Sequence, residues 1–290
     1  MRIAESELII NSDGSVFHLH MRPEQLADTV ILVGDRSRVE VFKKYLSDIE
    51  CENSSREFVS VTGKYNGKRL TVLSTGIGIG NIDICMNELD ALANVDFETR
   101  EVKEQHRTLT ILRVGTCGAI QPDVPIGAYI FSKYSIGTDG IINWYADREK
   151  VTDLEMEEAF KKHIGATPHI GTPYFAKASE KLIEKFKDCT VMGMTIAAPG
   201  FYGPQGRSIR MKLALPNMVE DFESFSCKGE RITNFEMEGS GIAAMARHLG
   251  HEAGTVCLAI AHRYHKASNP DYKPMVEGLC KLVLDKLTEE

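Results

Sequence analysis

A chain of 290 residues with 41 acidic and 34 basic side chains carries a formal net charge of −7 at pH 7. Hydrophobic residues make up 43 % and charged residues 26 %, the proportions of a folded globular chain, which excludes collagen-like, coiled-coil and disordered readings. The acidic balance and the lack of a long Lys/Arg run argue against a nucleic-acid partner, yet leave room for a small anion held by a few converging cations. The seven cysteines are odd in number and none forms a CxxC pair, so neither a disulfide framework nor a cysteine zinc site is expected. No signal-like apolar run opens the chain and no stretch approaches ~18 consecutive apolar residues. The expectation is a cytoplasmic protein of one domain over 1–290, with an N-terminal extension at 1–15.

Strands are predicted where short runs of Val, Ile, Leu and Thr end in glycine or charge: Thr29–Val33, Arg69–Ser74, Leu109–Val114, Ala128–Lys133, Thr190–Ala197, Ile232–Glu236 and Thr255–Ala261. Several are apolar on both faces, as in buried parallel sheets. Between them, Val39–Ser47, Asn81–Ala93, Leu154–His163, Ser179–Lys187, Gly239–Leu249 and Asp271–Leu287 carry apolar residues at helical spacing. Gly250 sits where a helix C′ glycine belongs. The alternation predicts an α/β fold: a single three-layer α/β/α domain around a mixed, largely parallel sheet. Asp96–Thr108 is dense in charge and reads as a surface insertion.

Ligands of such folds bind at the carboxyl ends of strands, so chemistry is sought there. After Val33, Gly34-Asp35-Arg36-Ser37-Arg38 offers either an anion cradle at a helix start or a plain strand–helix turn. After Leu73, three glycines at spacing two (Gly76, Gly78, Gly80) match neither a dinucleotide fingerprint nor a P-loop. Arg113, within an apolar strand, needs a partner: a bound anion, aided by the Thr116 hydroxyl and glycine-flanked amides, or a buried carboxylate. Cys117 follows in an apparent turn, where a free thiol is usually inert. Glu236 and Glu238 are two apart and would share one face of an extended strand. Carboxylates suit a sugar diol, because ionised oxygens only accept hydrogen bonds; helix N-terminal acids are the alternative. The irregular stretch Pro199–Arg207 brings the aromatic Phe201 and Tyr202 near Gln205 and Arg207, a donor–acceptor set for a pyrimidine edge or an ordinary polar loop.

Taken together, VFHLHM at 16–21, GDRSR at 34–38, SSREF at 54–58, STGIG at 74–78, LRVGTCGAI at 112–120, FYGPQGR at 201–207 and NFEMEGSG at 234–241 resemble, in order and spacing, the hexamer-type nucleoside phosphorylase family. The likeness spans Val16 to Leu287 and is greatest to the uridine phosphorylase branch. It implies cleavage of a nucleoside by inorganic phosphate, a co-substrate, giving free base and ribose 1-phosphate, with no organic cofactor. It implies phosphate binding by Gly34, Arg38, Arg113 and Thr116, with Arg56 from a neighbouring subunit. Ribose binding would fall to Met237, Glu238 and Thr116, and to His18 of the neighbour. Base binding would fall to Gly118, Phe201, Gln205, Arg207 and Arg263. Arg113, Glu238, Gln205 and Arg207 would carry catalysis. Glu236 matches a position of the ribose region.

The resemblance further implies a homodimer with shared sites, or a trimer of dimers. A potassium-type ion at the interface would lie near Glu57, Ile77 and Asn81, the last replacing a serine common in bacterial relatives. The aspartate that purine-specific relatives carry after the last core strand is absent, with His262 and Arg263 in that stretch. A purine phosphorylase using His262 as its acid, a nucleosidase on the same fold and a non-catalytic nucleoside-binding protein are the alternatives.

Overall fold

A computed structural model of the protein describes residues 2–165 and 170–289. In chain order its elements are β1 (Thr29–Val33), α1 (Arg36–Lys43), β2 (Ser47–Ser55), β3 (Phe58–Tyr65), β4 (Lys68–Ser74), α2 (Ile79–Asn94), β5 (Val95–Asp96), β6 (Glu101–Val102), β7 (Thr110–Ala119) and β8 (Tyr129–Gly137). There follow α3 (Leu154–Ile164), β9 (Tyr174–Lys177), α4 (Glu180–Phe186), β10 (Val191–Ala197), α5 (Met218–Glu223), β11 (Ser226–Cys227), β12 (Glu230–Glu236), α6 (Gly239–His248), β13 (Glu252–His262), β14 (Ala267–Ser268) and α7 (Lys273–Thr288).

The apolar runs form the centre of the sheet. β1 lies between β4 and β7, both parallel to it, and β7 lies between β1 and β13. Val30 and Leu32 of β1 pack on one face with Ile82 and Leu89 of α2 and Ile242 and Met245 of α6. Ile31 and Val33 pack on the other with Val39 and Phe42 of α1 and Leu279 and Val283 of α7. Helices on both faces explain why the strand carries no polar alternation. A third cluster joins α3 and α5 to β10 and β12 through Phe160, Phe222, Ile196 and Phe235.

The mixed sheet meets expectation: parallel pairings run from β12 through β10 to β8 and from β13 through β7 and β1 to β4, with the antiparallel β8–β13 pair between the two groups. Antiparallel β2 and β3 extend one side, and β9, β11 and β14 add short antiparallel partners. β2 escapes an apolar-run criterion because it is an edge strand, mostly exposed, with the sequence SDIECENSS. The sheet also curls onto itself. β12 pairs with β10 on one side and, at Asn234 and Phe235, antiparallel with Ala119 and Gly118 of β7 on the other.

That closure corrects one expectation. Gly115–Ala119 is no turn; it continues β7, held by β13 and then by β12. A second correction concerns α1, which begins at Arg36 because the Asp35 side chain accepts from the Ser37 amide at 2.8 Å. Ser47, expected at its end, already starts β2. Gly250 does follow α6, at φ +80°.

The charged Asp96–Thr108 segment is mostly exposed and acts as a clamp. Buried Arg100 donates to the carbonyls of Ile3, Ala4 and Leu8, pinning the N-terminal residues. Arg107 ties the same segment to Asp28 at 2.6 Å.

Candidate active site

A cleft of about 750 Å³ opens at the carboxyl ends of β1, β4, β7 and β12. Its lining brings together Gly34, Arg38, Arg113, Thr116, Gly118, Phe201, Gln205, Arg207, Met237 and Glu238, residues spread over two hundred positions of sequence. The volume is that of a small-molecule site.

Its deep end is ionic. Leu112 and Val114 face α1 and α7, so alternation turns Arg113 toward α6. There its guanidinium folds back over Gly115, where a Cβ would overlap it. Nη1 lies 3.1 Å from Glu236 Oε2 and 3.3 Å from Cys257 Sγ, and Nη2 donates to Glu238 Oε2. All three charged side chains are buried. Burial disfavours charge on Arg113, but Glu238 and Glu236 outweigh it and hold the arginine firmly protonated. Both partners raised for Arg113 thus have a footing: the carboxylates are in contact, and the guanidinium still lines the cleft.

Glu236 and Glu238 do not share a strand face. β12 ends at Glu236, and Glu238 is the N-cap of α6 at φ −140° and ψ −26°. The turn between them delivers both carboxylates to Arg113. Glu236 Oε1 and Oε2 each accept from the Gly239 amide at 2.9 Å, and Oε2 also accepts from the Glu238 amide at 2.9 Å. The helix-start role for acids is therefore real, and Glu236 fills it. Glu238 Oε1 accepts from the Gly78 amide at 2.7 Å, joining α6 to the start of α2. That partnership, 160 positions apart, left no trace in the sequence.

Arg38 differs. It is 7 % exposed, donates Nη1 to the Val114 carbonyl at 2.9 Å, and has no carboxylate at ion-pair distance among the described residues. Burial, and then Arg113, lower its pKa. Gly34 beside it packs against the next loop: a Cβ there would sit 3.4 Å from the Gly76 carbonyl.

The other end is the Phe201–Arg207 loop. Gln205 is buried, and its Oε1 accepts from Arg207 Nη1 at 2.6 Å; the same nitrogen donates to the Phe201 carbonyl at 2.8 Å. The Arg207 guanidinium stacks 3.9 Å from the Phe201 ring centre. Burial and the nearby Arg263 pull its pKa down to about 10. Arg263 is not among the lining residues. Its Nη2 donates to the Gln205 and Gly206 carbonyls at 3.1 and 3.2 Å, which makes it a strut for the loop.

His18 and Arg56 lie outside the cleft of the single chain, and they lie together. Arg56 sits 6.0 Å from the Phe17 ring, which meets the His18 ring edge-on. Sequence reasoning missed the group that holds this patch. Glu88 of α2 accepts from the amides of His18 and Leu19, and its Oε1 is 2.6 Å from His18 Nδ1, which leaves Nε2 outward. Glu57, Ile77 and Asn81 also meet at the cleft, where a Cβ on Gly76 would strike Asn81 Nδ2 at 2.7 Å and Glu57 Cγ at 3.1 Å.

Two candidates lose ground. His262 does not line the cleft; its Nδ1 accepts from the His265 amide at 3.2 Å, and burial lowers its pKa, both unsuited to an acid for a purine. Cys117 does line the cleft, but burial raises its thiol pKa well above the ordinary value, so no thiolate nucleophile forms. The described residues hold one group near metal-ligand spacing, Asp90, His106 and His251, at the opposite end of β7 and β13. There His251 Nδ1 already accepts from the Leu109 amide at 3.2 Å, so Nε2 keeps its proton and faces Asp90.

Residues 28–276 match the model of the Phosphorylase superfamily. The chain is 30 % identical over 259 residues to a uridine phosphorylase of Thermococcus kodakarensis, covering 87 % of this chain and 79 % of that protein. It is 31 % identical over 198 residues to a DeoD-type purine nucleoside phosphorylase of Bacillus velezensis, covering 64 % of this chain and 78 % of that one. Among solved structures, a Trypanosoma brucei nucleoside phosphorylase described as showing uridine phosphorylase activity superposes with a TM-score of 0.88 at 30 % identity, covering 97 % and 99 % of the two chains.

Proposed function

For a chain that belongs to the Phosphorylase superfamily, we propose phosphorolysis of a pyrimidine nucleoside: uridine and phosphate go to uracil and ribose 1-phosphate. One observation carries the reading. Arg38, a buried cation with no carboxylate at ion-pair distance among the described residues, shares a cleft with Arg113, with the Glu238 carboxylate suited to a diol, and with an amide–guanidinium pair suited to a pyrimidine edge.

In this reading Gly34, Arg38, Arg113 and Thr116 hold the phosphate, and Glu238 and Met237 hold the ribose. A phosphate oxygen bonds to C1′ as the C1′–N1 bond breaks, and the bond's electron pair leaves on the base. Arg38 and Arg113 place and desolvate the nucleophile. Gln205 Nε2 and the Arg207 guanidinium donate to the pyrimidine oxygens as negative charge gathers there, a preorganised stabilisation of the transition state. Phe201 gives the base an apolar wall, Gly118 keeps the floor low, and Arg263 braces the loop behind. No covalent enzyme intermediate is needed.

The pairing of His18 with Arg56 on one exposed patch supports a homodimer in which each chain lends both residues to the other's cleft, His18 at the 5′-hydroxyl and Arg56 at the phosphate. Glu57, Ile77 and Asn81 all line the cleft, Glu57 and Asn81 meeting around Gly76, and a carboxylate, a carbonyl and an amide oxygen are the hard donors a potassium-type ion takes. A cytoplasmic setting accords with seven cysteines that are all unpaired.

The deciding assay is release of free base from uridine, thymidine, inosine and adenosine with and without phosphate. Uridine cleavage only with phosphate is expected. Equal rates without phosphate favour a hydrolase, and a preference for inosine favours the purine reading.

A further inference from the structure

Glu236 is more thoroughly engaged than any other carboxylate of the cleft. Oε1 takes the Gly239 amide; Oε2 takes the amides of Glu238 and Gly239 and faces Arg113 Nη1 at 3.1 Å. Its side chain is 1 % exposed. The backbone is shaped for this placement: a Cβ on Gly239 would sit 3.1 Å from Glu236 Oε1 and Thr255 Oγ1 and 3.2 Å from Ser135 Oγ. A side chain at 239 would push the carboxylate off the helix start.

We infer that Glu236 is a positioning residue that couples the two ends of the phosphate–ribose subsite: it holds Arg113 for the anion and the first turn of α6, hence Glu238, for the diol, without touching either substrate. This rests on the phosphorylase reading of the cleft. The coupling follows from the contacts. A shift of the carboxylate moves Arg113 on β7 and the Glu238 backbone together, because one oxygen serves both.

A second consequence concerns charge. The titratable groups facing Glu236 are Arg113 and Cys117 from β7, Glu238 from α6, and Tyr174 from β9. Burial, with Glu238 adding to it, outweighs Arg113 and pushes the Glu236 carboxyl up to about 7. An anion arriving at Arg113 meets this carboxylate as a like charge. The anion therefore binds best with Glu236 protonated, and its affinity falls as pH rises through the neutral range.

Sulfate is the suitable probe, since it does not titrate there. In the wild-type protein its dissociation constant should rise from pH 6 to pH 8, by at most about tenfold per unit. In Glu236→Gln the rise should vanish. Glu236→Asp keeps the charge but withdraws it by one methylene. It should retain the slope while kcat falls about tenfold, as for a lost supporting contact. A merely structural role would lower melting temperature in both variants and leave the slope untouched. Parallel slopes in the wild type and Glu236→Gln overturn the inference; should Glu236→Gln not fold, wild-type kcat in Glu236→Asp does so. Wild-type cleavage of uridine without phosphate strikes the underlying reading instead.

Discussion

The two ends of the cleft solve the problem of buried charge in opposite ways. At the phosphate–ribose end, Arg113 is flanked by Glu236 and Glu238, and every partner stands on a strand end or a helix start. At the base end, Arg207 and Arg263 lie near each other with no carboxylate partner among the described residues, on an irregular loop held by backbone carbonyls. At the first end Arg113 is balanced and rigidly held, suited to orienting the reactants, with Arg38 beside it left open for the anion. The second is an uncompensated cationic pair. In phosphorolysis the base is the group that gains negative charge, and cations left unpaired in the ground state are those that gain most when it does.

The balance at the phosphate–ribose end is lost most severely at Arg113. Arg113→Ala removes the one cation between two buried carboxylates. Uridine cleavage should fall at least about a thousandfold, and stability by about 3–5 kcal/mol, since two acids remain uncompensated. Steady-state kinetics and urea midpoints check both. Arg113→Lys should recover stability better than rate, because an ammonium replaces the charge but not the fork. A variant with ordinary phosphate dependence would remove Arg113 from the site.

Gln205→Ala tests the other end, where rate and stability should separate. The Gln205 side chain bonds only Arg207 within the described chain. Its loss should cost about a hundredfold in kcat/KM for uridine, while the unfolding free energy falls by about 1 kcal/mol or less. Unchanged uridine kinetics would show that the loop does not read the base.

Much of this contrast was legible before any geometry. Central strands announce themselves as apolar runs, and the residues after them proved to line one cleft because β1, β4 and β7 are adjacent and parallel. What sequence could not show falls into two kinds. Polar edge strands such as β2 lack the apolar signal that burial imposes. Contacts between distant segments, such as Glu88 with His18 or Glu238 with the Gly78 amide, have no local periodicity to betray them. The strand character of Gly115–Ala119 was hidden for a related reason. Its glycines signal a turn locally, but Gly115 is there to admit the Arg113 guanidinium.

The unpaired state of the base end also predicts a pH effect. The Arg207 guanidinium, held at about 10 by burial and then by Arg263, is a cation below that pH and loses its proton above it. Base-directed stabilisation is thus present at neutral pH and fades on the alkaline side. The wild type should lose kcat/KM there more steeply than Arg207→Gln, which starts about a hundredfold lower. The substrate's own N3–H ionises in both, so the difference between the two profiles isolates Arg207. Parallel alkaline limbs would place Arg207 outside the chemistry.

The smallest effect is expected where the two ends meet. Cys117 lies on β7 between Arg113 and the Arg207 loop, at the cleft wall and 5 % exposed. It is the residue a covalent mechanism would favour. Burial, and then Cys257, keep its thiol protonated, and neither end of the cleft uses it as a hydrogen-bond donor to charge. Cys117→Ala should therefore keep kcat/KM within about twofold of the wild type. The cost should be confined to stability, about 1 kcal/mol for the small void left by a buried sulfur. A rate loss comparable to that of Gln205→Ala would make the wall part of the chemistry, and the division of labour between the two ends would then need a third party.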